Sequence, residues 1–251
     1  MLPYYLSLAF METTSSTPTA KKDYSALYLP GAILVAGVLV AGGLYLGLSS
    51  KGTGAGPAGG IQPAVAVNIK DVKIDAGTPF IGKADAPAMA YWSDYQCPFC
   101  KQFELNTMPS LIKTYVDTGK LKIVFKDFAF LGKDSITGGK YGHAVWTLYP
   151  AQYFAWREAM YKAQDAEGDQ GFGDAPSIDK LTKTIAGIDG AKVSAYVKAH
   201  DADLTKEVQN ETTEGSAFGV NGTPGFIVGT KRIDGSVPLA QFTAAIGVVV
   251  K

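Results

Sequence analysis

The two cysteines of the chain stand three positions apart, in Cys97-Pro98-Phe99-Cys100. An apolar run, residues 88–92, precedes them and a helical pattern follows, so the pair is predicted on the first turn of a helix. Thiols at this spacing lie close enough to form a disulfide. The free N–H groups and the dipole of the helix N-terminus stabilise the first cysteine as a thiolate, which is the nucleophilic form. The pattern therefore predicts thiol–disulfide redox chemistry.

Two alternatives for the pair are half of a zinc site and an inert structural pair. A zinc site needs two more ligands, and the two histidines of the sequence, His143 and His200, lie far from the cysteines. Both histidines are predicted to be ordinary side chains on helices. The redox interpretation is favoured, and it requires no metal and no organic cofactor.

Thr223-Pro224 is the second feature of interest, because it precedes the apolar run Phe226-Ile227-Val228. An X-Pro bond at this place is a candidate cis-proline, which would expose the neighbouring backbone to an extended substrate. Taken alone, the dipeptide is typical of an ordinary turn. Its combination with the cysteine pair is what indicates a redox site.

The elements that must hold these residues indicate an α/β fold. Residues 88–92 and 120–125 have strand character, and the helix between them is predicted to break at Pro109. Strand, helix and strand over about 40 residues form a βαβ unit with parallel strands. Residues 65–74 alternate in polarity and predict a further strand.

The chain turns helical from about 137 to 215 and then returns to strands. Ser177 is predicted as the N-cap of one helix, and an apolar stripe continues through the helices after it; its members are Val193, Tyr196, His200, Leu204 and Val208. A hairpin over 225–234 and a closing helix over 237–250 follow, with Pro238 in the first turn of that helix. The predicted fold is a small α/β sheet with a helical domain inserted in the middle.

The N-terminal quarter of the chain has a different character. No charged residue occurs between Asp23 and Lys51, and the 23 residues Ala26–Leu48 are long enough, at about 1.5 Å each, to cross a hydrocarbon core of roughly 30 Å. A buried core helix and a cleaved signal peptide are the alternatives, but the run exceeds the usual length of a signal core. We expect a tail (1–25), a single transmembrane helix (26–48), a Gly-rich linker (49–60) and a folded domain (61–251).

Flanking charge predicts how this helix is oriented. Lys21 and Lys22 precede the span, whereas Lys51 is the one lysine between the span and Lys70. The excess of positive charge before the span favours a cytoplasmic N-terminus and an extracytoplasmic C-terminal domain. The protein is therefore expected in the cell membrane.

The overall composition restricts the classes of function. With 23 basic and 23 acidic residues the net charge is zero, which provides no general attraction for nucleic acid. Two cysteines are too few for a disulfide-rich scaffold. At 47% hydrophobic residues the chain is apolar enough to fold around a core.

From about Thr78 onward, the chain resembles DsbA-like thiol:disulfide oxidoreductases of the thioredoxin fold, of the membrane-anchored kind. The resemblance covers roughly 170 residues and rests on five segments: Gly82–Pro87, Ser93–Cys100, Tyr115–Gly119, Phe125–Phe128 and Gly219–Pro224. It implies a thioredoxin fold in which the helical insert covers the active site.

The same resemblance implies roles for individual residues. Cys97 would be the exposed nucleophile and Cys100 its buried partner, while Thr223 and Pro224 would lie opposite them. Pro98 and Phe99, inside the motif, would tune the site. Cysteine-containing client proteins are the implied substrates, and a quinone-linked membrane oxidant is the implied source of new disulfides.

Two departures from the family pattern concern the strength of oxidation. Many relatives carry an acidic residue six positions before the first cysteine, where this chain has Tyr91; Asp94 is near but is expected to point elsewhere. Strongly oxidising relatives often have histidine where this chain has Phe99. A reductase or isomerase of the same fold remains as an alternative. A tethered peptide-binding or chaperone module without turnover is another, but binding alone would need neither cysteine.

Overall fold

The computed structural model describes residues 65–165 and 171–250, all of which belong to one unit, Gln62–Lys251. The expected tail, transmembrane helix and linker lie outside the described residues. Within the two described ranges, no helix combines the length and the apolarity needed to cross a membrane.

A five-stranded mixed sheet forms the centre of the domain, in the order β1-β3-β2-β4-β5. The strands are β1 (Phe80–Ile81), β2 (Ala88–Ser93), β3 (Lys122–Asp127), β4 (Gly225–Val228) and β5 (Lys231–Asp234). Strands β2 and β3 are parallel, and the other neighbours are antiparallel. The predicted βαβ unit and hairpin are thus confirmed.

The described residues form eight α-helical segments around this sheet. They are α1 (Pro98–Gln102), α2 (Met108–Leu111), α3 (Lys133–Leu148), α4 (Tyr153–Ala163), α5 (Ala175–Thr182), α6 (Gly190–Ala199), α7 (Asp201–Ala217) and α8 (Leu239–Ile246). Helices α3 to α7 all lie between β3 and β4 in the chain, so the predicted helical insert is present. It begins four residues before the predicted boundary.

The central strand β2 is buried on both faces, which is why it reads as an apolar run. Met89 and Tyr91 pack into the main core, together with residues of the helices. Ala90 and Trp92 point to a smaller cluster on the other face of the sheet, which contains Ile227. The alternation along β2 therefore joins two hydrophobic layers through one strand.

The active-site helix continues through Pro109, although the sequence predicts a break there. Segments α1 and α2 are joined by a π-helical segment, Phe103–Thr107, and a second one, Ile112–Val116, continues the helix. The N–H of Met108 donates to the carbonyl of Phe103, five residues back. Pro109 then lies in the first turn of α2, where its missing N–H costs least.

Four other details of the predicted elements are wrong, and one is that Pro238 is the N-cap of α8 rather than part of its first turn. Residues 65–74 form no strand; a 3₁₀ turn, Ile69–Asp71, occupies their centre because the Asn68 side chain caps it. Asp174, rather than Ser177, is the N-cap of α5 and accepts a hydrogen bond from the Ser177 N–H. His200 ends α6 at an exposed position, so the apolar stripe is divided between two helices.

Candidate active site

Strand β2 delivers the cysteine pair to the end of the sheet. Cys97 is the N-cap of α1 in an extended conformation, with φ −81° and ψ 120°, and Pro98 opens the helix. The N–H of Cys97 donates to the Asp94 carbonyl at 3.1 Å, which fixes the turn between strand and helix. Both thiols are free.

The two cysteines differ less in exposure than the sequence predicts. Cys97 was expected to be exposed, but only 3% of it is accessible, against none of Cys100. Packing of the Thr223 carbonyl on its sulfur accounts for part of this burial. Pro98 and Phe99, between the cysteines, are exposed, and 60% of Phe99 is accessible.

The local hydrogen bonds make the two thiols chemically unequal. A hydrogen bond from Cys100 is the main cause that lowers the pKa of Cys97 to about 6; burial opposes it, and Thr223 and the N–H groups of Cys100 and Phe99 add to it. Complete burial raises the pKa of Cys100 well above its ordinary value, and the neighbouring Cys97 adds to this effect. Cys97 is therefore the thiolate at neutral pH, and Cys100 stays protonated.

The Thr223-Pro224 dipeptide lies directly against the reactive sulfur. Its peptide bond is cis, as predicted, and the Cys97 Sγ lies 3.3 Å from the Thr223 carbonyl oxygen. Strand β4 begins at Gly225, and it pairs antiparallel with β2 so that Trp92 is opposite Gly225. The register of these two strands thus brings the dipeptide to the cysteine pair.

The helical insert forms a further wall of the site. At the end of α4, Gln164 donates from Nε2 to the carbonyls of Tyr95 and Cys97, at 2.7 and 3.1 Å. The Lys101 ammonium of α1 donates to the Gln164 carbonyl at 2.6 Å. Insert and active-site helix are therefore held together by hydrogen bonds in both directions.

Asp94 does point away from the cysteines, as expected. Its carboxylate accepts hydrogen bonds from the backbone N–H groups of Gln96, Phe130 and Leu131, between 2.8 and 3.2 Å. Burial raises the pKa of this carboxyl, and these backbone donors oppose the shift. The residue orders the loop that follows β3.

A buried ion pair behind Cys100 was not predicted from the sequence. The Nε of Arg157, on α4, donates to Glu104 at 2.7 Å, and both side chains are almost completely buried. The guanidinium lies 4.4 to 5.2 Å from the centres of four aromatic rings, which are Tyr91, Tyr95, Phe125 and Tyr161. The sequence carried a signal only for Arg157, which falls on the helical face of the apolar residues Tyr153, Trp156, Met160 and Tyr161.

A second buried group of charges joins β3 to the insert. His143 lies 3.2 Å from Asp127 and 3.6 Å from Glu211, and Lys126 lies 3.3 Å from Glu211. Asp127, His143 and Glu211 each offer one atom that could bind a metal ion, and these atoms lie within 4.8 Å of one another. However, the two carboxylates raise the pKa of His143 to about 10 against the effect of burial. Lys126 adds a further positive charge beside Glu211, and in this structure these side chains form an ion-pair network.

The model of the thioredoxin family matches residues 75–247 of the chain. The chain belongs to this family. The match spans both cysteines, the whole helical insert and the Thr223-Pro224 dipeptide.

Relatives of known name are similar over shorter stretches. A probable disulfide bond formation protein D of Bacillus anthracis is 25% identical over 150 residues, which cover 59% of this chain and 68% of that protein. The disulfide bond formation protein D of Bacillus subtilis is 33% identical over 89 residues, 35% of this chain and 40% of that protein.

Solved structures show the same architecture. Oxidised BdbD of Bacillus subtilis superposes with a TM-score of 0.65 at 23% identity, over 74% of this chain and 97% of that one. The thiol-disulfide exchange protein alpha-DsbA2 of Wolbachia pipientis gives 0.60 at 25% identity, over 69% and 88%. The thioredoxin fold with inserted helices is confirmed, and the chain is a DsbA-like thiol:disulfide oxidoreductase.

Proposed function

We propose that this oxidoreductase introduces or exchanges disulfides in client proteins through Cys97 and Cys100, on the outer side of a membrane to which residues 26–48 tether it. The observation that carries the proposal is the asymmetry of the pair. Cys97 has a pKa of about 6, while burial raises the pKa of Cys100 well above its ordinary value. Two inert structural thiols would not differ in this way.

The exchange proceeds through a mixed disulfide. A client thiolate attacks the Cys97 sulfur of the oxidised pair, the S–S bond breaks, and Cys100 leaves with the electron pair and takes up a proton. The second client thiolate then attacks the client sulfur of the mixed disulfide, and Cys97 leaves as a thiolate. The client has lost two electrons and gained a disulfide, and the cysteine pair has been reduced.

The low pKa of Cys97 favours this direction. A stabilised thiolate lowers the free energy of the reduced pair, which makes the oxidised pair a stronger oxidant. The relatives from Bacillus are named for disulfide formation, which supports the same direction. A reductase would instead show a markedly lower reduction potential, so equilibration of the pair with glutathione buffers separates an oxidant from a reductant.

Variants of the two cysteines test the assigned roles. We expect Cys97→Ser to abolish thiol exchange and Cys100→Ser to accumulate client proteins in mixed disulfides with Cys97. Limiting iodoacetamide at pH 7 should label Cys97 first in the reduced protein, because only Cys97 is a thiolate there. Preferential labelling of Cys100 would reverse the assignment, and binding of client proteins by the wild type without any thiol exchange would support a binding module without turnover.

The membrane location and the reoxidising partner belong to the same proposal. A disulfide donor acts where reducing thiol pools are absent, and a quinone-linked membrane oxidant would return the pair to the disulfide. Protease added to intact spheroplasts should digest or release the domain. A domain that resists digestion until the membrane is lysed would place it on the cytoplasmic side.

A further inference from the structure

The turn that carries Cys97 is held by a side chain of the helical insert. Gln164, which follows the last residue of α4, donates from Nε2 to the Tyr95 carbonyl at 2.7 Å and to the Cys97 carbonyl at 3.1 Å. Only 4% of Gln164 is exposed. Because both contacts are carbonyl oxygens, only the N–H end of the amide can face them. The orientation of this amide group is therefore determined by the backbone of the turn.

These hydrogen bonds add to others that fix the peptide groups around Cys97. The N–H of Gln96 donates to the Asp94 carboxylate at 2.8 Å, and the N–H of Cys97 donates to the Asp94 carbonyl at 3.1 Å. The Cys97 carbonyl also accepts a hydrogen bond from the Lys101 N–H at 3.1 Å, the first of α1. Without Gln164, the peptide group that follows Cys97 would lose one of its two donors, and the direction of the sulfur would be less strictly set.

The oxygen of the same amide has no hydrogen-bond partner within the described ranges. A buried amide that only links two elements of a fold is expected to pair both of its ends. Here the Gln164 side chain keeps its donors on the Cys97 turn and leaves its acceptor unpaired. The position of the amide is therefore explained by its donors.

The carbonyl groups that Gln164 binds are unfavourable neighbours for a thiolate, because a carbonyl oxygen carries a partial negative charge. The Cys97 carbonyl belongs to the same residue as the reactive sulfur, and that sulfur also lies 3.3 Å from the Thr223 carbonyl oxygen. Each N–H of Gln164 offsets the field of one carbonyl group, and such an effect is stronger in a buried site than in water. Gln164 thus acts in the same direction as the N–H groups of Phe99 and Cys100.

We propose that Gln164 is a positioning residue for the reaction of Cys97: it fixes the turn that directs the sulfur at the start of α1, and it offsets the carbonyl groups that oppose a negative charge there. The insert thereby helps to set the oxidising strength of the pair, although it contributes neither cysteine. The inference rests on the proposed function, in which Cys97 reacts as a thiolate. The charged residues that form hydrogen bonds at this turn, Lys101 and Asp94, and the Cys100 thiol are retained in variants of Gln164.

The test removes the donors and keeps the length of the side chain. Gln164→Met should raise the midpoint of the Cys97 thiolate absorbance, about pH 6 in the wild type, by about one pH unit, because the thiolate loses stabilisation and the thiol does not. One unit corresponds to about a tenfold change in an equilibrium constant. At pH 8.5, where Cys97 is ionised in both proteins, the equilibrium with glutathione should therefore shift about tenfold toward the oxidised pair.

Thr182→Val is the matched control. The Thr182 hydroxyl is also buried in the insert, where it accepts a hydrogen bond from Trp156 at 2.9 Å and donates to the Ile178 carbonyl at 2.7 Å. This variant also removes hydrogen bonds from the insert, so its free energy of unfolding should fall. The Cys97 midpoint and the glutathione equilibrium should keep their wild-type values, because neither hydrogen bond involves the cysteine turn.

A wild-type midpoint and a wild-type glutathione equilibrium in Gln164→Met would overturn the proposal. An equal shift in Thr182→Val would also overturn it, since general loosening of the insert would then be the cause. If Gln164→Met does not fold, NMR can follow the side-chain amide of Gln164 in the reduced wild type. Its resonance should titrate with the midpoint of Cys97, and a resonance that stays constant between pH 4 and 8 would contradict the assigned role. Failure of the wild type to exchange with glutathione disulfide would instead contradict the proposed function.

Discussion

The Cys97 sulfur and the Thr223 carbonyl oxygen lie 3.3 Å apart although 126 positions separate the two residues in the chain. The contact exists because β2 and β4 pair antiparallel in the centre of the sheet, while the helical insert lies outside that pairing. Thr223 is also among the groups that lower the pKa of Cys97, although its buried hydroxyl makes no hydrogen bond among the described residues. One residue therefore both covers the reactive sulfur and stabilises its charged form.

Thr223→Val should raise the pKa of Cys97 above its value of about 6, because it removes the hydroxyl and keeps the shape and the backbone carbonyl. Thr223→Ser retains a hydroxyl and is the matched control, with a pKa near that of the wild type. The thiolate absorbance near 240 nm, followed from pH 4 to 9, measures both. Identical midpoints for Val and Thr would show that the side chain has no part in stabilising the thiolate.

Phe99→His should lower the pKa of Cys97 further and make the disulfide more oxidising, since an imidazole N–H next to the sulfur can donate to a thiolate. The free energy of unfolding should change little, because 60% of Phe99 is exposed. Phe99→Leu keeps the position apolar and should leave the pKa unchanged. Equilibration with glutathione buffers gives the potential of each variant; a potential for Phe99→His no higher than that of Phe99→Leu would contradict the expectation.

His143 should make folding stability depend on alkaline pH. Its pKa rises from 6.5 in the unfolded chain to about 10 in the fold, so the stabilisation is fully present below pH 6.5 and is lost as the pH rises through 10. At about 1.4 kcal/mol per unit of pKa, the contribution is on the order of 3–5 kcal/mol. In urea denaturation, the free energy of unfolding of His143→Gln should be lower than that of the wild type at pH 6. It should also decrease less between pH 7 and pH 10.

The control for this experiment is His200→Gln, since His200 is exposed and stacks on Tyr196. Its stability profile should follow that of the wild type. If the His143→Gln and wild-type profiles were parallel, the imidazole would not be the titrating group of the ion-pair network.

Gly139→Ala should destabilise the contact between the insert and the sheet. A methyl group there would lie 2.6 Å from an oxygen of Asp127 and 2.7 Å from a methyl of Val208, and overpacking of this kind costs about 1–3 kcal/mol. Gly222→Ala, which meets no atom within 4 Å, is the control. Thermal unfolding measures both; an equal change in melting temperature would mean that α3 adjusts without cost.

The reactive part of the site was predictable because its chemistry is encoded locally. The spacing of Cys97 and Cys100, the strand before them and the helix after them all lie within one short segment. Thr223-Pro224 was identified in the same way, by its position before an apolar run. Each of these features depends on neighbours in the chain.

The buried charges were not predictable for the opposite reason. Glu104 and Arg157 meet across 53 positions, and His143 and Glu211 across 68, so no local pattern marks either pair.

The strand predicted over 65–74 is wrong for a similar reason. Its alternation is real, but Ile69 donates to Gly229 and the Asn68 cap closes a 3₁₀ turn. Tertiary hydrogen bonds there outweigh the local preference.

Gln164 fastens the end of α4 to the backbone of Cys97, and this has an evolutionary consequence. The cysteines and Thr223-Pro224 belong to the sheet and its active-site helix, whereas the insert reaches this backbone through Gln164. The exposed surface of α4 can therefore change in related proteins while the cysteine motif stays constant. Gln164 itself is the exception, because its amide donates directly to the Cys97 carbonyl. We expect related proteins to retain this residue.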